Sequence, residues 1–200
     1  MTEDASGSVM AAIESVLAGE LAGEAVETES DYYALWHARG LGALGPPESA
    51  FIGGALANDL AFVFIAGYQA ALRTVFPELP AESWAAFVAT EDKTEPERYP
   101  GTVLSESTGQ IVLDGAKQWV AQSRHVAQLV VTARAPGQDV PRECVLIPAS
   151  AQGVTLTHRD APSFLPRLSQ GFARFEHTPV AMRFGERARD FARTESRLVM

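Results

Sequence analysis

The texture of this chain changes once, near Trp84, and that change limits the fold more than any single motif does. Before it, apolar residues recur at helical spacing. Residues 9–26 are rich in Ala, Leu and Glu, and Met10, Ile13, Val16 and Leu17 make one stripe. Asp31 is placed to cap a second helix that turns Tyr32, Leu35, Trp36 and Ala43 inward and stops at Gly45-Pro46-Pro47. Asn58 or Asp59 can cap a third, running through Leu60, Phe64, Ala71 and Val75 to Pro77. That helix is apolar on nearly every side except at Asp59, Gln69 and Arg73, so it belongs in an interior or against another chain. After Trp84 come short, partly alternating segments at 85–90, 102–106, 110–113, 128–134, 143–147, 154–158 and 173–178. Thr108-Gly109, Asp114-Gly115, Pro136-Gly137 and Gln152-Gly153 punctuate them as turns, which predicts an antiparallel sandwich or barrel. Residues 182–198, with Phe184 and Phe191 among alternating Arg and Glu, read as one amphipathic helix. The expected architecture is α+β: a helical module at 1–83, a β-barrel or sandwich at 84–181 and a tail helix at 182–200.

With 200 residues, 46% of them apolar, the chain has core enough for one domain or two small modules. Its net charge of −9 disfavours a nucleic-acid partner, because backbone phosphates dominate that affinity. The charge is uneven. Residues 1–83 hold twelve acidic groups against Arg39 and Arg73, whereas residues 84–200 hold fourteen basic against thirteen acidic, and twelve of those fourteen are arginine. Arginine's planar fork suits phosphate or carboxylate, so an anionic ligand fits the second part, as do arginines merely scattered over a solvated face. Cys144 is alone, which excludes an internal disulfide and a thiolate metal site and fits a reducing cytoplasm. The acidic start Met-Thr-Glu-Asp is unlike a secretory signal, and the apolar run at 60–72 is too short to cross a bilayer, so no membrane insertion is expected. No glycine-rich phosphate loop is present, and Gly53-Gly54 follows no strand. No serine sits in a nucleophile elbow, and His37, His125, His158 and His177 lack ligand spacing, so no metal site and no catalytic residue is assigned. Asp31 and Asp59 are explained by capping.

One stretch goes further. Residues 111–123, Ile-Val-Leu-Asp-Gly-Ala-Lys-Gln-Trp-Val-Ala-Gln-Ser, followed by Ala-Gln-Leu-Val-Val-Thr-Ala-Arg at 127–134, resemble the middle domain of acyl-CoA dehydrogenases. That family reads Asn/Asp-Gly-x-Lys-x-Trp-Ile/Val-Thr/Ser and then a strand ending in Ala-Arg. Residues 84–91, Trp-Ala-Ala-Phe-Val-Ala-Thr-Glu, are similar to its first flavin strand, which ends Thr-Glu-Pro. Residues 144–148 with Gly153-Val154 resemble its Phe-Leu-Val-Pro and Pro-Gly-Val segment, and 173–180 its last β strand. The resemblance covers about residues 84–181, and the helical part matches only through Gly40-Leu41 and Pro47-Glu48. It implies FAD as cofactor, with Trp119 against the isoalloxazine ring and the Thr90 hydroxyl and nearby backbone on its pyrimidine edge. Phe87, Ala89 and Ala121 fall beside them.

Three departures accompany the resemblance. Ala121 stands where the family has a flavin-bonding Thr or Ser, at a cost of about 0.5–1.5 kcal/mol for one lost hydrogen bond. The family's Gly-Ser-Asp loop is replaced by Asp-Lys-Thr-Glu-Pro-Glu-Arg at 92–98. The sequence ends at Met200, where family members continue into a four-helix bundle that supplies the catalytic glutamate and dimer contacts. The expectation is therefore a truncated acyl-CoA dehydrogenase-like protein with a partial FAD and acyl-thioester cleft and no independent dehydrogenase activity. Two alternatives stay open: a half-enzyme completed by a full-length dehydrogenase-like partner, and a flavin-free binding or scaffold protein. Homodimerisation or such a partner, and an acyl-CoA ligand, are implied alongside.

Overall fold

The computed structural model describes residues 3–21, 23–92, 94–107, 109–159 and 165–198; Met1, Thr2, Lys93, Thr108 and Met200, which figure in the sequence reading, lie outside them. The chain divides into two compact units, one of residues 1–83, 163–168 and 191–200, the other of residues 84–162 and 169–190.

The first unit is helical. Helix α1 (Glu3–Leu17) covers the stripe but leaves its Met10 and Leu17 exposed, and it ends well before residue 26, where Gly19 at φ 75 takes the left-handed position that closes a helix C-terminus. Helix α2 (Glu29–Ala38) is capped by Thr28, not by Asp31. The Asp31 amide donates to the Thr28 hydroxyl at 3.1 Å while the Asp31 carboxylate accepts the Thr28 amide at 3.0 Å. This is a reciprocal capping box, and it holds the Asp31 carboxyl below its usual range. Gly45-Pro46-Pro47 begins a helix rather than ending one: α3 (Pro46–Leu56) opens on the two prolines, which have no amide donor to lose in a first turn. Helix α4 (Leu60–Val75) starts at Asp59, whose carboxylate accepts the Ala61 amide at 2.9 Å. It is buried on most sides and packs on α3, where the Tyr32 hydroxyl donates to the Gly53 carbonyl at 2.8 Å and stacks on Phe62 at 5.0 Å. A Cβ on Gly53 would come within 3.0 Å of both Ala66 and the Tyr32 hydroxyl, so a larger residue would make these neighbours give by a few tenths of an ångström. Buried Arg73 donates to the carbonyls of Ser83 at 2.8 Å and Ala81 at 3.0 Å, tying the chain after α4 back onto it.

The second unit is two four-stranded sheets. One is ordered β1 (Trp84–Val88), β4 (Val126–Ala133), β5 (Glu143–Pro148), β8 (Met182–Gly185). The other is ordered β2 (Val103–Ser107), β3 (Gln110–Ala121), β7 (Gln170–Pro179), β6 (Val154–Arg159). All pairs are antiparallel except β1–β4, which is parallel because the chain crosses to the other sheet for the β2–β3 hairpin and returns in the same direction. Ala86, Val88, Leu129, Val131, Val145 and Ile147 of one sheet form a single core with Leu104, Leu113, Val120, Ala173 and Phe175 of the other. Isolated bridges, Thr90 with Gln118 and Val103 with Arg134, link the two sheets. Asp114-Gly115 is no turn: β3 runs through it on a bulge, with Gly115 at φ 125. The segment after 182 is not one helix either. Residues 182–185 pair with β5, and helix α5 begins only at Ala188 (Ala188–Leu198).

Candidate functional site

A second bulge in β3 places the tryptophan on which the family resemblance turns. Pairing with β7 moves from Gln118–Phe172 to Val120–Gly171, leaving Trp119 without an opposite residue. Trp119 takes φ 62, a left-handed conformation that costs a non-glycine residue about 1–3 kcal/mol. Its indole is 50% exposed, whereas Trp36 and Trp84 are at 1% and 0%. The local fold thus spends strain to hold one large aromatic plate outward.

The end of β1 lies beside that plate. The Gln118 amide donates to the Thr90 carbonyl at 2.7 Å, so Thr90 and the residue next to Trp119 share a bridge. Thr90 is exposed and Ala89 half-buried, and Ala121 is half-buried two residues past the bulge, opposite Gln170. Phe87 sits farther back on β1, half-buried, on the face opposite Ala86 and Val88. Thr90, Ala89 and Trp119 are therefore neighbours through the backbone, while Phe87 stands deeper.

Beneath them is a charged network that the sequence reading missed. Lys117 is fully buried, and its ammonium donates to the Ala89 carbonyl at 3.1 Å, Glu91 Oε1 at 2.9 Å and Thr132 Oγ1 at 3.0 Å. Burial pulls the Lys117 ammonium down to about 8 against the opposing pull of Glu91. For Glu91, burial pushes upward, but the Lys117 hydrogen bond and charge, the Thr102 amide at 3.0 Å and the Arg134 charge outweigh it and hold the carboxyl below its usual range. The sequence showed a lysine two residues before the tryptophan, but neither its burial nor its partners, which are distant in the chain.

After Glu91 the chain is pinned at Asp92 and Glu95. Asp92 accepts the Thr94 amide at 2.8 Å, the Thr94 hydroxyl at 2.6 Å and the Gln118 side-chain amide, and these bonds, Thr94 first, keep its carboxyl low. Glu95 pairs with Arg98 at 3.2 Å, and Tyr99 packs edge-on against Phe172 at 4.7 Å. At this site an exposed aromatic plate and an exposed threonine hydroxyl fit the flat face and polar edge of a flavin, while position 121 offers no hydroxyl. Among the described residues no group of three or more His, Cys, Asp or Glu side chains could hold a metal ion. No helix among them is long and apolar enough to cross a membrane.

No protein-family model and no curated protein matches the chain. Solved structures do. An FAD-dependent dehydrogenase superposes with TM-score 0.71 at 14% identity, over 100% of this chain and 63% of that one. The prolyl acyl carrier protein oxidase AnaB gives 0.67 at 12%, over 100% of this chain and 64% of that one. An acyl-CoA dehydrogenase complexed with FAD, from Bacillus anthracis, gives 0.61 at 16%, over 84% of this chain and 35% of that one. The chain spans less than two thirds of the length of these proteins. It has the α+β fold of acyl-CoA dehydrogenase-like FAD enzymes.

Proposed function

We propose that this chain is an acyl-CoA dehydrogenase-like module that binds FAD, and beside it an acyl thioester, without oxidising a substrate alone. The observation that carries the reading is Trp119, a half-exposed indole held at φ 62 beside the exposed end of β1. Structural proteins rarely keep strain that exposes an aromatic; binding sites do. Trp119 would cover one face of the isoalloxazine and exclude water from it, and the Thr90 hydroxyl and backbone would take its polar edge. Bound flavin supplies hydride acceptance. Oxidation of an acyl thioester also needs a base for the α-proton, and the carboxylates beside the slot are engaged elsewhere. Glu91 is tied to Lys117 and Thr102, and Asp92 caps the Thr94 turn.

The test is FAD titration of the purified protein, read by flavin absorption and fluorescence. Trp119→Ala is expected to weaken binding at least tenfold. Ala121→Thr is expected to strengthen it about three- to tenfold, the worth of one hydrogen bond. A protein that takes up no FAD would favour the flavin-free scaffold, a reading the missing hydroxyl at Ala121 also supports. Retention of a full-length dehydrogenase as a stoichiometric partner on co-purification would instead favour a half-enzyme completed in trans.

A further inference from the structure

Lys117 contacts neither the solvent nor the exposed face of the slot, yet two of the three hydrogen bonds its ammonium makes reach the segment that carries Thr90. Two of its acceptors, the Ala89 carbonyl and Glu91 Oε1, flank Thr90 in the chain. Lys117 itself lies two residues before Trp119, and between them the Gln118 amide donates to the Thr90 carbonyl. The third acceptor, Thr132 Oγ1, belongs to β4, whose Thr132 carbonyl also accepts the Thr102 hydroxyl at 2.7 Å. β1 and β3 belong to different sheets, so apart from the Thr90–Gln118 bridge no ladder fixes their spacing here.

We infer that Lys117 is the positioning residue of the slot: its ammonium ties the strand carrying Trp119 to the strand end carrying Thr90 and sets the gap between them. The identity of the ligand in that gap rests on the flavin reading; the tie itself does not. A buried ammonium is a costly way to join two strands, since apolar residues of similar volume fill a core at least as stably. A fixed charge on fixed acceptors supplies geometry instead. The charged and titratable groups acting on Lys117 are Glu91 after β1, Arg134 at the end of β4 and Cys144 on β5, and burial pushes the Cys144 thiol up to about 11, leaving it neutral near pH 8. Raising pH through about 8 removes the Lys117 charge, weakens its hold on Glu91 and loosens the gap.

The experiment compares the wild type, Lys117→Met and the double variant Lys117→Met with Glu91→Gln. It uses three readouts: melting temperature, FAD affinity, and Trp119 emission isolated by subtracting the Trp119→Phe spectrum. Lys117→Met is expected to lower FAD affinity at least tenfold and shift Trp119 emission. The double variant removes the uncompensated carboxylate and is expected to recover melting temperature while affinity and emission stay at the single-variant level. Recovery of affinity and emission along with stability would mean that Lys117 only neutralises Glu91, and overturns the inference. In the wild type, Trp119 emission is expected to titrate with a midpoint near pH 8; a flat profile overturns it too, without any variant having to fold. If the wild type takes up no FAD, the flavin reading falls while the emission measurements still decide the role of Lys117.

Discussion

At Trp119 a bulky aromatic occupies φ 62, where glycine would sit without strain. Trp119→Gly removes about 1–3 kcal/mol of backbone strain and adds back about 0.5–1 kcal/mol of unfolded-chain entropy. With the indole 50% exposed, little packing is lost. The variant is therefore expected to be about 1 kcal/mol more stable, a rise of about 2–4 °C in melting temperature by calorimetry, while losing FAD affinity. A fall in melting temperature would show that the indole serves packing. The resemblance singled out Trp119 and Thr90 because residue types at motif spacing carry that information. It did not single out Lys117 as part of the site, since a lysine in a strand reads as exposed until a partner such as Glu91, distant in sequence, is placed against it.

Among the elements, those whose signals are local were legible. Helix α4 follows from Asp59 and an apolar run, and most strands from their turn residues, with ends off by a few positions; β3 is the exception, since Asp114-Gly115 is a bulge within it and not the turn expected there. Helix α3 was not, because proline pairs mark both helix starts and stops, and only the downstream residues tell the two apart. Strand β8 was hidden because residues 182–185 gain their strand character from the β5 edge they join, not from alternation of their own. Helix α5 shows how an exposed-looking amphipathic segment anchors itself by one side chain. Phe191 is 2% exposed and packs against Tyr68 at 5.8 Å and Phe76 at 6.4 Å. Phe191→Ala is expected to cost about 3–5 kcal/mol, measured by denaturant unfolding, with loss of helical signal at lower denaturant. A cost below about 1 kcal/mol would mean that α5 is not anchored there.

For the whole molecule, the engagement of Glu91 and Asp92 with partners of their own bears directly on turnover. Supplied with FAD, acyl-CoA thioesters and an artificial electron acceptor, the chain is expected to show no turnover above that of free FAD. Turnover would overturn the proposal that the chain oxidises no substrate alone. The division into a helical and a β unit at Ser83–Trp84 coincides with the change in sequence texture, because hydrophobic periodicity switches from helical to alternating at that point.

Most helical and β elements and the motif around Trp119 are written in the chain itself, because each depends on residues close together in it; which apolar positions are buried is not, since Met10, Leu17 and Ala43 are exposed. The parallel β1–β4 pairing, the bulge that turns the indole outward and the Lys117–Glu91 tie beneath it came from the folded molecule alone. These arise where segments far apart in sequence meet, and register and burial at such meetings are properties of the pair, not of either segment.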